Sequence, residues 1–354
     1  MTETLEIPIS KTNNSRLAEV DFDNLQFGKV MSDHMLIAEY ENGQWENPRI
    51  VPYGELSLLP AISALHYGQA IFEGMKAYRM ENGEVAIFRP EANLERFNLS
   101  AERMCMPAIP SEIFISGLEE LIKLDAAWAP TGSGNSLYIR PFMFATDAFV
   151  GIRPSERYTF ITFTCPVNSY YSAPLRVKVE THYTRAAQGG TGFAKCAGNY
   201  AGALLPTKIA NAEGYQQILW TDAETHSQLE ESGTMNVMLV KEGKLITPKT
   251  ADTVLKGITR DSIITLAKSW GVEVEERTIT VSELVEGIEA GTITEAFGAG
   301  TAAVVAPIAT IGHEGTDYNL PDVGSWTFAP KIKEALNAIR LGTAPDNFNW
   351  MVIV

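Results

Sequence analysis

The twelve residues from Gly189 to Tyr200 restrict this chain more than any other stretch of it. Eight of them are Gly, Ala, Cys or Thr, and one long cation, Lys195, stands in their midst. A lysine ordinarily lies in solvent among polar neighbours. Here the neighbours are small, so backbone can pass close to another group and the lysine can reach it. On spacing, the nearest phosphate motif is the P-loop, and it fails: Cys196 stands where a Ser or Thr should follow the lysine, and the glycines are wrongly spaced.

A chain of 354 residues is long for one domain and points to two. Hydrophobic content of 45% with 20% charged residues is enough for a full core. No run approaches the roughly 18 apolar residues of a membrane span. A net charge of −15 argues against nucleic acid or an anionic membrane as partner, so an anionic ligand needs a local site. The acidic start, Met1-Thr2-Glu3-Thr4-Leu5-Glu6, is unlike a basic targeting signal, and a cytoplasmic location is expected. Three scattered cysteines (Cys105, Cys165, Cys196) make no disulfide framework, and the five histidines lack metal-binding spacing. No metal is expected.

Residues 1–33 read as an arm. His34–Glu41 reads as a strand, and Ala77–Met80 with Val85–Phe88 as a hairpin over Asn82-Gly83. Pro90 opens a helix to about Met106, and Ser111 is the expected N-cap of a second. Ser136–Ala145 and Tyr158–Thr164 are strands. Past the proline-bracketed segment 166–174 the pattern changes. Leu175–Thr181 and Gln216–Trp220 are strands, and Tyr200–Glu213 is a helix expected to bend at Pro206. Met235–Val240 and Lys244–Ile246 form a hairpin, Arg260–Trp270 a helix, and Ser282–Ala290 a helix closed by Gly291. Ile293–Phe297 and Ala303–Ile311 are strands, and Lys331–Leu341 is a last helix. The class is α+β: a small domain over residues 1–165, an interdomain loop at 166–175, and a larger β-rich domain over 176–354.

Two further stretches are phosphate-compatible. Leu255-Lys256-Gly257-Ile258-Thr259 precedes a helix, whose exposed amides bind anions, and Thr259 adds a hydroxyl. Gly298-Ala299-Gly300-Thr301-Ala302-Ala303 fits a dinucleotide glycine pattern, but Val304, Val305 and Pro307 favour a strand where that motif needs a helix. One phosphorylated ligand bearing an aldehyde would use both turns and Lys195. A carboxylate in Leu229-Glu230-Glu231-Ser232-Gly233-Thr234-Met235-Asn236 is either a solvated loop charge or a fixed anion facing a heterocyclic nitrogen, the partner that pyridoxal phosphate requires.

These segments, with Tyr67, Phe72-Glu73-Gly74-Met75-Lys76, Phe88-Arg89-Pro90, Asn93, Arg96 and Tyr138-Ile139-Arg140-Pro141, resemble the branched-chain amino acid aminotransferases, pyridoxal phosphate enzymes of fold type IV. The resemblance runs in order from about Phe27 to the C-terminus. It implies a smaller α/β sandwich domain and a larger barrel-like one, assembled as a homodimer. It implies that Lys195 bonds to the cofactor's aldehyde carbon and later shuttles a proton, while Glu231 faces the pyridine nitrogen. Tyr200 would hydrogen-bond the phenolic oxygen and Leu255 would pack on the ring. Arg96, Ile258, Thr259 and Thr301 would hold the phosphate. Phe27, Phe72, Tyr138, Tyr170, Thr234 and Ala302 would line an aliphatic pocket, joined by Tyr67, Val150 and Ile152 from a second subunit. Arg140 would take the side-chain carboxylate of glutamate.

The implied reaction moves an amino group between leucine, isoleucine or valine and 2-oxoglutarate, with glutamate and 2-oxo acids as the other ligands. Some members carry a redox-active Cys-x-x-Cys just after the Gly-Thr-Ala turn; Ala303 and Ala306 stand there in this chain. Within the fold, the alternatives are a D-amino acid aminotransferase or an aminodeoxychorismate lyase, against which Tyr138-Ile139-Arg140 and Gly300-Thr301-Ala302 speak. Outside it, the alternative is a non-catalytic acidic binding protein.

Overall fold

A computed structural model describes residues 6–169 and 173–354. The chain divides into two compact units. Unit 1 holds residues 1–170, 194–197 and 337–354; unit 2 holds 171–193 and 198–336.

In unit 1, β1 (His34–Glu41), β2 (Gln44–Pro52), β3 (Ala70–Phe72), β4 (Met75–Arg79), β5 (Val85–Phe88), β6 (Ser136–Ala145) and β7 (Tyr158–Val167) form one antiparallel sheet. The C-terminal strand Met351–Ile353 completes it by pairing with β5. The first hairpin turns on Asn42 and Gly43, both at positive φ (52° and 84°), the tight-turn geometry that Asn-Gly favours. Strand residues alternate between faces. One set (Leu36, Ile87, Ile139 and Phe160) is buried with Phe97 of α2 (Pro90–Arg103) and Leu118 and Leu121 of α3 (Gly117–Leu124). The other set carries Lys76, Tyr138 and Cys165, which stand opposite one another across β4, β6 and β7.

Ser111 does not cap the helix expected after it. Its backbone is already helical (φ −57°, ψ −37°), its side chain makes no capping bond, and a π turn, Glu112–Ser116, leads into α3. The carbonyl of Pro110 accepts the amides of Ile113 and Phe114, the work a cap would otherwise do.

In unit 2, six strands close on themselves: β8 (Leu175–Val179), β9 (Gln217–Thr221), β10 (Leu229–Ser232), β11 (Met235–Lys241), β14 (Ile293–Gly300) and β15 (Val304–His313). The β10–β11 pairing, Glu231 opposite Asn236, shuts the ring. Outside it lie β12 (Lys244–Thr247), β13 (Val274–Glu276) and β16 (Thr316–Asn319). The helix expected over Tyr200–Glu213 is two pieces, α4 (Ala197–Ala201) and α5 (Leu204–Ala212). The break falls at Gly202 and Ala203, ahead of Pro206, which sits in the first turn of α5 where its missing N–H costs nothing. Next come α6 (Ile258–Ser269) and α7 (Val281–Glu289), whose N-cap Thr280 accepts the Glu283 amide at 3.0 Å. Helix α8 (Phe328–Arg340) leads out of the unit.

Candidate active site

Each unit carries a coherent set of polar groups. In unit 1 the backbone of Lys195 is held on both sides. Its N–H donates to Ser100 Oγ at 2.9 Å, and its carbonyl accepts the Phe72 amide at 3.0 Å. Cys196 bridges to Ile71 of β3. The lysine Nζ lies 4.7 Å from the centre of the Phe72 ring, over its face. Small residues at 194, 196 and 197 make room for this close docking, since Ala194 and Cys196 are buried.

The same phenylalanine is shared by Arg140, whose guanidinium carbon lies 4.7 Å from the ring centre. Arg140 Nη2 donates to the Tyr138 hydroxyl at 2.9 Å, and Phe27 meets the Tyr138 ring edge-on at 4.9 Å. Buried Nε of Arg140 has no hydrogen-bond partner among the described residues. Gly74 permits the arrangement: a Cβ there would overlap the Tyr138 hydroxyl. Phe27, Phe72, Tyr138 and Arg140 are thus gathered at one place. Behind them Lys76 is pushed down to about 7 by burial and by the charge of Arg340, and burial pushes Cys165 up to about 11.

Arg96, in the second turn of α2, pairs with Glu73 through two parallel bonds. Nε donates to Oε1 and Nη2 to Oε2, each at 2.7 Å. Tyr67, Val150 and Ile152 are on the surface, 44%, 66% and 92% exposed. Tyr170 lies outside the described residues.

In unit 2 the centre is Glu231. Its Oε1 accepts the Leu255 amide at 2.6 Å and Asn236 Nδ2 at 3.3 Å, while Oε2 faces Arg185 Nη2 at 3.1 Å. Asn236 also donates to the Leu255 carbonyl at 2.9 Å, so the carboxylate and this loop are tied together. Arg185 reaches the carbonyls of Gly192 and Thr253 at 3.1 and 2.6 Å. Gly257 is required where it stands, because a Cβ would overlap Asn236 Oδ1. It leads directly into α6, placing Ile258 and Thr259 in the first turn, where amides point out of the helix.

Thr301 and Ala302 occupy the turn between β14 and β15, and Thr234 the exposed turn between β10 and β11. Tyr200 is half-buried in α4, where neighbouring Asn199 is bonded to Thr191 at 2.7 and 2.8 Å. Glu230, beside Glu231, lines a separate cavity of about 580 Å³ with Asp222, Glu224, Asp252 and Lys249. Burial pushes Glu230 up to about 7, helped by the charges of Glu231 and Asp222 and opposed by a Thr253 hydrogen bond and Arg185.

Arg185 and Ser100 were not singled out from the sequence, and Glu73 was named only as part of the segment 72–76, with no role. Each acts on a predicted residue through a contact that local pattern does not encode. Among the described residues no group of three or more His, Cys, Asp or Glu could hold a metal, and no helix is long and apolar enough to cross a membrane.

Residues 70–311 match the model of the class IV amino-transferases. Over 339 residues the chain is 43% identical to branched-chain-amino-acid transaminase 1 of Bacillus subtilis (strain 168), covering 94% of this chain and 95% of that protein. Over 334 residues it is 40% identical to the branched-chain-amino-acid aminotransferase of Mycobacterium tuberculosis (strain CDC 1551 / Oshkosh), covering 92% and 91%. The fold is similar to the crystal structure of the Escherichia coli branched-chain amino acid aminotransferase, with a TM-score of 0.72, 26% identity, and coverage of 90% of this chain and 98% of that one. It is equally similar to the T.th. branched-chain amino acid aminotransferase in complex with N-(5'-phosphopyridoxyl)-L-glutamate, with a TM-score of 0.72, 26% identity and coverage of 89% and 97%.

Proposed function

The chain belongs to the class IV amino-transferases, and on that premise we propose that it transfers an amino group between L-leucine, L-isoleucine or L-valine and 2-oxoglutarate, with pyridoxal phosphate as cofactor. The observation that carries this reading is the likeness, 43% identical and end to end, to a branched-chain-amino-acid transaminase. The donor set suits the cofactor. Unit 2 offers a buried carboxylate for a protonated ring nitrogen and a helix N-terminus with a hydroxyl for a phosphate; unit 1 offers a lysine amine and a guanidinium fork.

Pyridoxal phosphate, when bound, supplies the carbonyl that takes the amino group and the ring that accepts the electron pair of the substrate's Cα–H bond. The chain's residues do the rest. Lys195 Nζ would take the Cα proton and deliver it to the cofactor's aldehyde carbon; the clamp on its backbone leaves only the side chain to move. Glu231 would hold a proton on the ring nitrogen, and Arg185 holds the Glu231 carboxylate in place. Tyr200 orients the phenolic oxygen, and Leu255 covers one ring face. Arg96, Ile258, Thr259 and Thr301 anchor the phosphate.

Phe27, Phe72, Tyr138, Thr234 and Ala302 take the aliphatic side chain and exclude water, with Tyr170 assigned to the same wall. Arg140 receives the second carboxylate of glutamate, for which its position beside the Tyr138 hydroxyl is suited. A second copy of the chain completes the pocket with Tyr67, Val150 and Ile152, apolar side chains that a lone chain leaves in solvent. Three cysteines, none in a disulfide, accord with a cytoplasmic, reducing home.

Single-turnover half-reactions test the assignment. The wild type should accept amino groups from both L-leucine and L-glutamate. Arg140→Ala should lose about 100-fold with glutamate, the order expected for an unpaired buried carboxylate, and less than about fivefold with leucine. Equal losses would refute the role of Arg140.

A further inference from the structure

The Arg96–Glu73 pair is costly for what it does as a brace. Glu73 is fully buried and Arg96 only 8% exposed, and an ion pair so deeply placed recovers little beyond its own desolvation. Two apolar side chains would hold α2 to this part of the sheet at least as well. Glu73 is, moreover, held in its own right. It lies in the link between β3 and β4, its amide donates to the Pro141 carbonyl at 2.7 Å, and its Oε2 also accepts the Gly74 amide at 3.1 Å. The carboxylate is therefore fixed before Arg96 reaches it. Two parallel bonds at 2.7 Å then fix both the position and the plane of the guanidinium.

We propose that Glu73 is a positioning residue that orients Arg96 toward the cofactor's phosphate; this rests on the reading of Arg96 as a phosphate ligand. The link also joins the two ends of the chemistry in unit 1. Phe72, next to Glu73, holds the Lys195 carbonyl, while Ser100, one turn beyond Arg96, accepts the Lys195 N–H and donates to the Arg96 carbonyl at 2.9 Å. The phosphate ligand and the lysine are thus set by the same few residues.

Charge and position make opposite predictions here. Removing a carboxylate raises the local positive charge, and charge alone would tighten the hold on a phosphate. Loss of the fork instead loosens the position and plane of the guanidinium and weakens that hold. The test titrates apo-protein with pyridoxal phosphate and with pyridoxal, which lacks the phosphate, following absorbance in wild type, Glu73→Gln and Arg96→Lys.

In Glu73→Gln the dissociation constant for pyridoxal phosphate should rise about tenfold or more, the scale of a charge-assisted hydrogen bond, with that for pyridoxal changed less than about twofold. Unchanged or tighter binding of pyridoxal phosphate overturns the proposal. So does an equal loss for both ligands, which would mark Glu73 as a brace. If Arg96→Lys leaves the ratio of the two constants unchanged, Arg96 is not a phosphate ligand and the underlying reading falls first. Should Glu73→Gln fail to fold, Glu73→Asp keeps the charge one methylene short, and the ratio of the pyridoxal phosphate constant to the pyridoxal constant is expected to rise by a smaller factor; an unchanged ratio again overturns the proposal.

Discussion

Replacing Glu230 by Gln tests the electrostatics of unit 2 where they are most strained. Burial raises this carboxyl from 4.5 to about 7, aided by Glu231 and Asp222 and opposed by Thr253 and Arg185. That difference corresponds to at most about 3 kcal/mol. The folded-state value lies above the unfolded one, so the folded protein binds the extra proton between pH 4.5 and about 7. Stability from this group is therefore full below 4.5 and lost as the pH rises through about 7. Linkage puts the loss at about 1 kcal/mol at pH 5 and about 3 kcal/mol at pH 8.5.

Glutamine has nearly the same shape and no charge, so it escapes the loss. Moving from pH 5 to pH 8.5 should shift the comparison in favour of Glu230→Gln by about 2–3 kcal/mol. At roughly 2 °C per kcal/mol for a unit of this size, that is about 5 °C in the thermal midpoint. Circular dichroism melts of holo-protein at the two pH values read it directly. A constant difference between variant and wild type at both pH values would refute the reasoning.

Two variants around Asn236 test the support of Glu231. Gly257→Ala places a Cβ onto Asn236 Oδ1 and should displace the side chain, breaking its bonds to the Leu255 carbonyl and to Glu231. Asn236→Ala removes the same bonds without overlap, so it should lose roughly 2 kcal/mol of stability and Gly257→Ala more, both read from melting midpoints. Gly257→Ala melting at or above Asn236→Ala would contradict the packing.

Much of the fold was legible because local physics and fold agree. Asn82-Gly83 marks the β4–β5 hairpin because glycine adopts the positive φ (89°) found at Gly83, and the alternation in β6 and β7 separates a helix-covered face from one bearing Tyr138 and Arg140. Other features depend on partners distant in sequence. Nothing near Met351 announces that it will pair with Phe88, and nothing in Glu231 announces that its pairing with Asn236 closes a ring of six strands. The Ser111 expectation failed because the Pro110 carbonyl met the need first.

The candidate site divides the same way. Lys195 stood out through the small residues around it, and the resemblance assigned Glu231, Tyr200 and Arg96. The groups that hold them carry no sign of their role in the sequence: Ser100 is one helical serine among several polar residues, Arg185 lies in an unpatterned loop, and Glu73 sits in a matched segment that does not say what it holds. Their meaning is in the bonds they make to Lys195, Glu231 and Arg96.

The most direct measurement of the central claim is borohydride reduction of the purified, cofactor-loaded protein, followed by peptide mapping. The account predicts a yellow protein, a phosphopyridoxyl adduct on Lys195 alone, loss of that adduct on prior addition of L-leucine, and none in Lys195→Ala. A protein that stays colourless with added cofactor, or an adduct on another lysine, would contradict it.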